Sequence, residues 1–551
     1  MMDGLKKHQL NSERWNVWIS ALILALLPVV CVVLRCALDG RTLFDVYLPV
    51  SPWNDELFYY KLTEGVLDYG VPQGYFGFNE SHGRYLSFAA WSPVLLLFWV
   101  LYGLLFDWNL LSPILANLWM IILALFGFGL LAKPSRKQTG MIALLYICFP
   151  PVTRFILSCI PEAELFALFI LFWAMVLHLR KNYRGYKVGI IFFLVMLMTW
   201  MRPYLILLLM TPVWIWIENS KKDKKTYFKI GGLSLCIFGI TMAVYGLISY
   251  LFSAPYLTDL FYTEWIGKYF DEGLVAGIKY TVWKLITSMK SIVDIIRQNL
   301  FPTGEVASAA GLYYCVFLLL VILLLWKLIK RIWIKKERIY HVLPELQMFL
   351  CMVGFFVADL LMYRLHEGGR HTLVYLVGMI VLLPLMSDEK ETEKKGVCRY
   401  VGVIESCFVS ICFLLVLVGR GNVPYEFAIP YVSEDYVTDL DKLSEQLTEN
   451  MMLSEDGISY DNTVIWTLWD EIEKEDGTIE TKAVDFGAYY AVPSGFGINL
   501  CDGGYVHVNL EDLQSRYIGV IPGSNYEKRC IASDGKLIGR CDRLVVYDMK
   551  P

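Results

Sequence analysis

A mostly apolar chain keeps ionisable side chains where they serve something, because charge within a bilayer is costly. Here Arg154, Glu162, Glu164, Arg202, Asp359, His366, Glu367, Arg370 and His371 stand towards the ends of long apolar blocks, and Asp55 and Glu56 follow the first of them. The middles of the blocks are nearly free of charge. A carboxylate in such a set can take the proton of an attacking hydroxyl. An arginine can grip phosphate oxygens with its planar fork and stabilise the charge that develops on a phosphate leaving group.

Each of these residues also has a plainer reading. Asp55 and Glu56 follow Pro52 and Asn54 and open a helix-like run, so they would suit the positive end of a helix dipole. As chemistry, Asp55 is the first choice for a base and Glu56 the second, or a metal or acceptor contact. Arg202 and Arg370 end apolar blocks, where snorkelling or anchoring to anionic headgroups explains an arginine. As chemistry, they would hold a lipid phosphate. His371 would add a donor, and Glu367 would orient Arg370. Glu162 and Glu164 either cap the helix that begins there or support the site. Glu264 and Trp265 would line an acceptor site. Asn79-Glu80-Ser81 matches a glycosylation sequon of the kind that arises by chance.

The elements that must position these residues follow from hydropathy. The 551 residues are 56% hydrophobic and 19% charged, which excludes an ordinary soluble protein. Apolar blocks long enough to span a bilayer cover 14–36, 111–132, 139–158, 162–180, 187–202, 204–218, 229–253, 308–328, 344–364, 371–387 and 400–419. Arg202-Pro203 predicts a break between the fifth and sixth. Block 92–106 is short, and charge decides its role. With the N-terminus inside, Lys133–Lys137, Arg180–Lys187, Lys221–Lys225 and Lys327–Arg338 all fall inside only if 92–106 does not cross. The expectation is therefore about 11 spans plus a juxtamembrane or re-entrant helix at 92–106.

This parity leaves three segments outside: 37–91, 254–307 and the acidic tail. The first block, Trp15–Leu34, lacks a small-residue cleavage site and reads as an uncleaved span. Ile278, Val282, Leu285, Ile286, Met289, Val293, Ile296 and Leu300 recur at helical spacing, with Lys279, Lys284, Lys290 and Arg297 off the stripe. That pattern predicts an amphipathic helix in the outer interface, or one packed under the tail. In the tail, Asp439–Met451 reads as a helix. Thr463–Leu468, Tyr517–Ile521 and Leu544–Tyr547 read as strands, with turns at Asp476-Gly477, Asp502-Gly503-Gly504 and Asp534-Gly535. The expected architecture is an all-α polytopic membrane domain, 1–420, and a small extracytoplasmic α+β domain, 421–551. Cys530 and Cys541 could be bridged or free.

Several short runs together resemble the bacterial GT-C glycosyltransferases of the protein mannosyltransferase and lipid-A aminoarabinose-transferase type. They are Asn54-Asp55-Glu56, Tyr69–Gly77, Ala90-Trp91-Ser92-Pro93, Ile160-Pro161-Glu162-Ala163-Glu164, Thr199-Trp200-Met201-Arg202-Pro203 and Glu367-Gly368-Gly369-Arg370-His371. The resemblance covers roughly 14–420, and no family domain matches the tail. It implies one span, an outer loop with an acidic motif, juxtamembrane helices and then a run of spans. It also implies sugar transfer from a polyprenyl-phosphate donor to a glycan, lipid or protein acceptor, usually with inversion, at the outer face of the cell membrane. By that likeness Asp55 is the base, and Arg202 and Arg370 hold the donor phosphate. The metal requirement varies within such proteins, and no closed ligand set is visible here.

Three other readings stay open from the sequence: a transporter or flippase of a lipid-linked glycan, an O-antigen-type ligase or polymerase, and a sensor that displays the tail. A transporter would place charged or broken segments at the midplane. A ligase would carry a large late outer loop. The expected partners are membrane lipids, the lipid-linked donor and the acceptor. Nucleic acid is not among them, because the basic clusters report orientation.

Overall fold

The computed structural model describes residues 2–46, 54–70, 76–80, 92–252, 264–302, 309–338, 342–363, 365, 369–386, 401–417, 432–455, 459–474 and 476–550. The protein is a polytopic, all-α membrane protein with a small mixed-sheet domain at one end of the helical bundle.

In chain order the bundle begins with α1 (Met2–Leu38) and α2 (Asn54–Tyr69). A short strand β1 (Phe76–Phe78) precedes α3 (Leu97–Leu105) and α4 (Ser112–Ala132). Next come α5 (Arg136–Ile147), α6 (Pro150–Ile156), α7 (Glu162–Lys181), α8 (Gly185–Met201), α9 (Met210–Glu218) and α10 (Lys224–Phe252). The bundle closes with α11 (Glu264–Asp271), α12 (Leu274–Leu300), α13 (Ala310–Ile329), α14 (Leu343–Met362), α15 (Leu373–Leu382) and α16 (Val401–Leu417).

All eleven expected spans are helical. Among the described residues, six helices are long and apolar enough to cross a membrane alone, and α5 with α6 makes a seventh that is bent by 69°. The remaining four are short apolar helices, too short to cross upright on their own. The bend sits at Cys148-Phe149-Pro150-Pro151, where the prolines remove two backbone donors. The helix at 92–106 is also short, with a 3₁₀ turn Pro93–Leu96 leading into α3. Ser92 caps that turn, its hydroxyl accepting from the Val94 amide at 3.2 Å.

Helix α7 is central, with 78% of its apolar window buried, against 6% for the peripheral α10. Helices α1, α4 and α7 pack in sequence. Gly129 makes the first of those contacts close: a Cβ there would stand 2.4 Å from Ala21 Cα. Small residues at such crossings let helices approach where no hydrophobic driving force separates protein from lipid. Gly129→Ala is therefore expected to destabilise the bundle by about 1–3 kcal/mol, read as a lower thermal midpoint of the purified protein. An unchanged midpoint would show that α1 moves freely.

Helix α12 packs on α13 and α14, not under the tail. Its buried face is Gly277, Ser288, Ile292, Ile295 and Asn299. Most of the apolar stripe read from the sequence faces outward instead: Ile278, Val282, Ile286, Met289 and Val293 are exposed. Ile292 and Ile295 pack with Ala310, Tyr314 and Leu360, and Asn299 Oδ1 accepts the Leu312 amide at 3.2 Å. The exposed stripe, edged by Lys279 and Lys290, keeps the character of an interfacial helix.

The C-terminal domain contains α17 (Glu434–Asn450), β2 (Thr463–Thr467), β3 (Trp469–Glu473), β4 (Ile479–Ala483) and β5 (Gly497–Cys501). It continues with α18 (Gly503–Asn509), β6 (Tyr517–Val520), α19 (Asn525–Ala532), β7 (Lys536–Arg540) and β8 (Val545–Asp548). The main sheet runs β1-β5-β2-β6-β8-β7, and β3-β4 is a separate hairpin. Strands β1, β5, β2 and β6 are parallel; β8 and β7 are antiparallel. Thus a strand from the loop after α2 belongs to the sheet of the tail. Asp502-Gly503-Gly504, expected as a turn, starts α18: the Asp502 carboxylate accepts the Tyr505 amide at 2.8 Å. Cys501, Cys530 and Cys541 are free thiols. Burial pushes the Cys501 and Cys530 thiols up to about 12, so both stay protonated and inert.

Candidate active site

Four charged side chains meet at the end of the bundle that carries the C-terminal domain. Asp55 lies in the first turn of α2. Both terminal nitrogens of Arg370 donate to its Oδ2 at 3.2 Å. Arg202 Nη2 donates to Glu162 Oε1 at 2.8 Å, and both side chains are buried. The two pairs are neighbours: Arg370 also interacts with Glu162 and with Arg202. Their exposure differs, and this sets a direction. The Asp55–Arg370 pair is 40% and 29% exposed, the Glu162–Arg202 pair 4% and 7%. The first borders an opening; the second lies beneath.

Local sequence explains each placement. Arg202 precedes Pro203, which pushes it out of the helical region to φ −143°, ψ 109°. Helix α8 ends there, and a 3₁₀ turn, Pro203–Leu209, takes over. Arg370 and His371 lie in a second 3₁₀ turn, Gly369–Thr372. Gly369 lets that turn sit against α13, because a Cβ would come within 2.6 Å of Ala310 Cα. Glu162 opens α7 directly after Pro161.

His371 is buried beside both arginines, with its ring 5.7 Å from Tyr204 and 5.3 Å from Tyr363. His371 Nδ1, Arg202 Nε, Arg370 Nε and Glu162 Oε2 are buried and have no hydrogen-bond partner among the described residues. Two guanidinium groups and an imidazole thus keep spare donor capacity around one spot. This is a place prepared for an anion with several oxygens.

Three tyrosines that the sequence reading passed over complete the surround. Tyr59 lies one helical turn from Asp55, within electrostatic reach of Asp55, Glu162, Arg202 and Arg370. Burial pushes its phenol up, with the two carboxylates adding to the shift and the two arginines opposing it, so it remains a protonated donor. Tyr204 and Tyr363 flank Arg202. The spacing of Tyr59 from Asp55 was the available signal. The other two are hidden in a chain with 34 tyrosines.

The remaining expected residues lie elsewhere. Glu56 points away from Asp55 into a fully buried ion pair: Arg154 Nη2 donates to its Oε1 at 3.3 Å. That position suits a structural role and removes Glu56 from acceptor or metal contact. Glu164 is buried against the amides of Phe98 and Trp99 at the start of α3. It supports that helix rather than its own. Glu264 and Trp265 belong to the α11–α12 hairpin; Glu264 bonds with Tyr280, and Trp265 packs edge-on against Tyr269. No contact among the described residues joins them to the charged cluster. Asp359 pairs with the Tyr314 hydroxyl in the α12–α13–α14 core. Glu367 and His366 lie outside the described residues. Among the described residues, no three His, Cys, Asp or Glu side chains are grouped so as to hold a metal ion.

Fold and site together define a class: a multi-pass membrane protein with a helix after its first span that carries an acid, a short helix at 92–106, and a run of apolar helices whose ends supply arginines. No protein-family profile matches the chain, and no curated protein matches it in sequence. Among solved structures, the apo crystal structure of ArnT from Cupriavidus metallidurans is similar along nearly its whole length. It covers 95% of this chain and 96% of that one, at 10% identity and a TM-score of 0.43. The same protein bound to undecaprenyl phosphate gives 99% and 98%, 10% identity and 0.42. Identity and score are both low.

Proposed function

We propose that this protein is a membrane glycosyltransferase that moves a sugar from a polyprenyl-phosphate donor to an acceptor hydroxyl outside the cytoplasm. The observation that carries the proposal is the meeting of Asp55, Arg370, Arg202 and Glu162, with unused arginine and histidine donors, at the membrane end of a soluble domain.

Asp55 borders the opening, where an acceptor arrives. The acceptor oxygen attacks the anomeric carbon as its proton passes to an Asp55 carboxylate oxygen. The bond from that carbon to the phosphate oxygen breaks, and its electron pair stays on the phosphate. Arg202 and Arg370 stabilise the growing negative charge, with His371 as a further donor. Attack opposite the leaving phosphate inverts the anomeric configuration. Because Arg370 rests on Asp55, an incoming phosphate draws it away and leaves the carboxylate free to act.

Orientation follows from charge. At the far end of the bundle Lys327 pairs with Glu405, Arg331 with Glu337 and Glu345, and Lys187 with His178. The basic loops thus gather opposite the C-terminal domain, which supports the reading with that domain and the site outside.

The test is turnover by purified protein with a panel of polyprenyl-phosphate sugars, scored as donor-dependent release of polyprenyl phosphate in the presence of envelope extract as acceptor. At least one donor should be consumed. No turnover with any donor, together with movement of a lipid-linked glycan across liposomes, would replace the proposal with transport.

A further inference from the structure

The stretch 76–80 leaves the membrane bundle and is built into the C-terminal domain. Strand β1 pairs in parallel with β5: Phe76 lies opposite Ile498, Gly77 opposite Asn499 and Phe78 opposite Leu500. Asn79 and Glu80 then adopt φ of 48° and 56°. Two successive left-handed residues without a glycine are unusual and need support from their surroundings.

The support comes from the tail. The Glu80 carboxylate is buried and accepts the Ser515 amide at 2.6 Å, the Gln514 amide at 3.1 Å and the Tyr505 hydroxyl at 2.9 Å. Its own amide donates to Asn499 Oδ1 at 3.1 Å, and its carbonyl accepts the Tyr460 hydroxyl at 2.6 Å. Asn79 exchanges two bonds with Asp502, at 2.6 and 3.0 Å. The amide of the sequon asparagine is thus already engaged.

Helix α2, which carries Asp55, is held by the same domain. Lys61 Nζ donates to the Val492 carbonyl at 2.6 Å, and Tyr69 Oη to the Ser494 carbonyl at 3.3 Å. Phe58 lies 5.8 Å from Trp466 and Tyr60 lies 5.1 Å from Tyr490, between ring centroids. On its other side Tyr59 meets Trp99 of α3. The helix is pressed between two bodies, and its first turn supplies the carboxylate.

We infer that the C-terminal domain positions Asp55 for reaction, and that Glu80 and Lys61 are the positioning residues through which it does so. The inference rests on the reading of Asp55 as the base. Holding a reacting group in place accounts for much of a catalyst's rate, and a small displacement costs a large factor.

The full-length protein tests this. Glu80→Ala should lower kcat by on the order of tenfold or more, with the donor KM nearly unchanged. Hydrogen exchange of amides 56–69 should quicken, while the thermal midpoint of the bundle stays put. Glu80→Gln, which keeps an acceptor oxygen, should recover part of kcat. Lys61→Met keeps the stem and loses the donor, and should act in the same direction; these two milder variants carry the test if Glu80→Ala does not fold. Quickened exchange with unchanged kcat in all three would overturn the inference, as would unchanged exchange. Asp55→Asn is measured alongside. If that variant keeps wild-type turnover, the base assignment fails, and the exchange of 56–69 alone decides whether the domain holds the helix.

Discussion

Asp55→Asn is expected to reduce kcat by about 10²–10⁴-fold, the usual contribution of a positioned general base. The substitution keeps the size of the side chain and its place in the first turn of α2. It removes the proton acceptor and the charge that holds Arg370. The two effects have opposite signs for the donor. A freed Arg370 binds phosphate without first leaving a carboxylate, so the donor KM should stay the same or fall while kcat collapses. That split identifies an interaction made only in the transition state. Both partners of the pair are about a third exposed, so its loss should hardly change stability. Steady-state turnover against donor concentration decides the matter. Wild-type kcat in the variant would remove Asp55 from the chemistry.

Arg154→Met is expected to have the largest effect on folding. Arg154 and Glu56 are almost wholly buried, and removing one partner leaves the other's charge without its counterpart. Breaking such a pair costs about 3–5 kcal/mol. Arg154 also donates to the Leu157 carbonyl at 3.3 Å, at the C-terminal end of α6. The expected result is a marked loss of folded, monodisperse protein. The double variant Glu56→Gln, Arg154→Met carries no stranded charge and should recover most of it. Single and double variants with equal yields would show that the pair does not couple, and a stable Arg154→Met would show that Glu56 finds another route to neutrality.

The first prediction concerns Asp55, and the second concerns the ion pair of its neighbour in the chain, Glu56. Asp55 and Glu56 look interchangeable as sequence, yet successive residues of a helix point about 100° apart. One faces the opening and the other faces Arg154. Only the packing of α2 between the bundle and the tail decides which is which. The convergence of Asp55, Arg202 and Arg370 on one end was legible, because charge at the ends of apolar blocks has few places to go. Glu264 and Trp265 had no comparable constraint, and the fold takes them to a separate hairpin.

Apolar block length located the helices to within a few residues, since the backbone must close its own hydrogen bonds in lipid. It could not say how they pack. The face of α12 that meets α13 and α14 carries Ile292, Ile295 and Asn299, and only the partly buried Leu285 and Ile296 of the stripe read from apolar spacing join that cluster. Three strands of the tail, β2, β6 and β8, were legible from β-branched and aromatic runs, while β3, β4, β5 and β7 were not. Their order was not, because parallel pairing depends on crossovers. A three-residue strand such as β1 carries no periodicity at all.

The shared sheet has a further consequence, for biogenesis. Asn79 meets Asp502 across 423 residues, so nearly the whole membrane domain lies within the loop that this contact closes. A ribosome must deliver the chain as far as Asp502 before this contact can close beyond the helix bearing Asp55. Chains clipped before Asp502 therefore keep their spans but lack the contact that ties the segment after α2 to the tail.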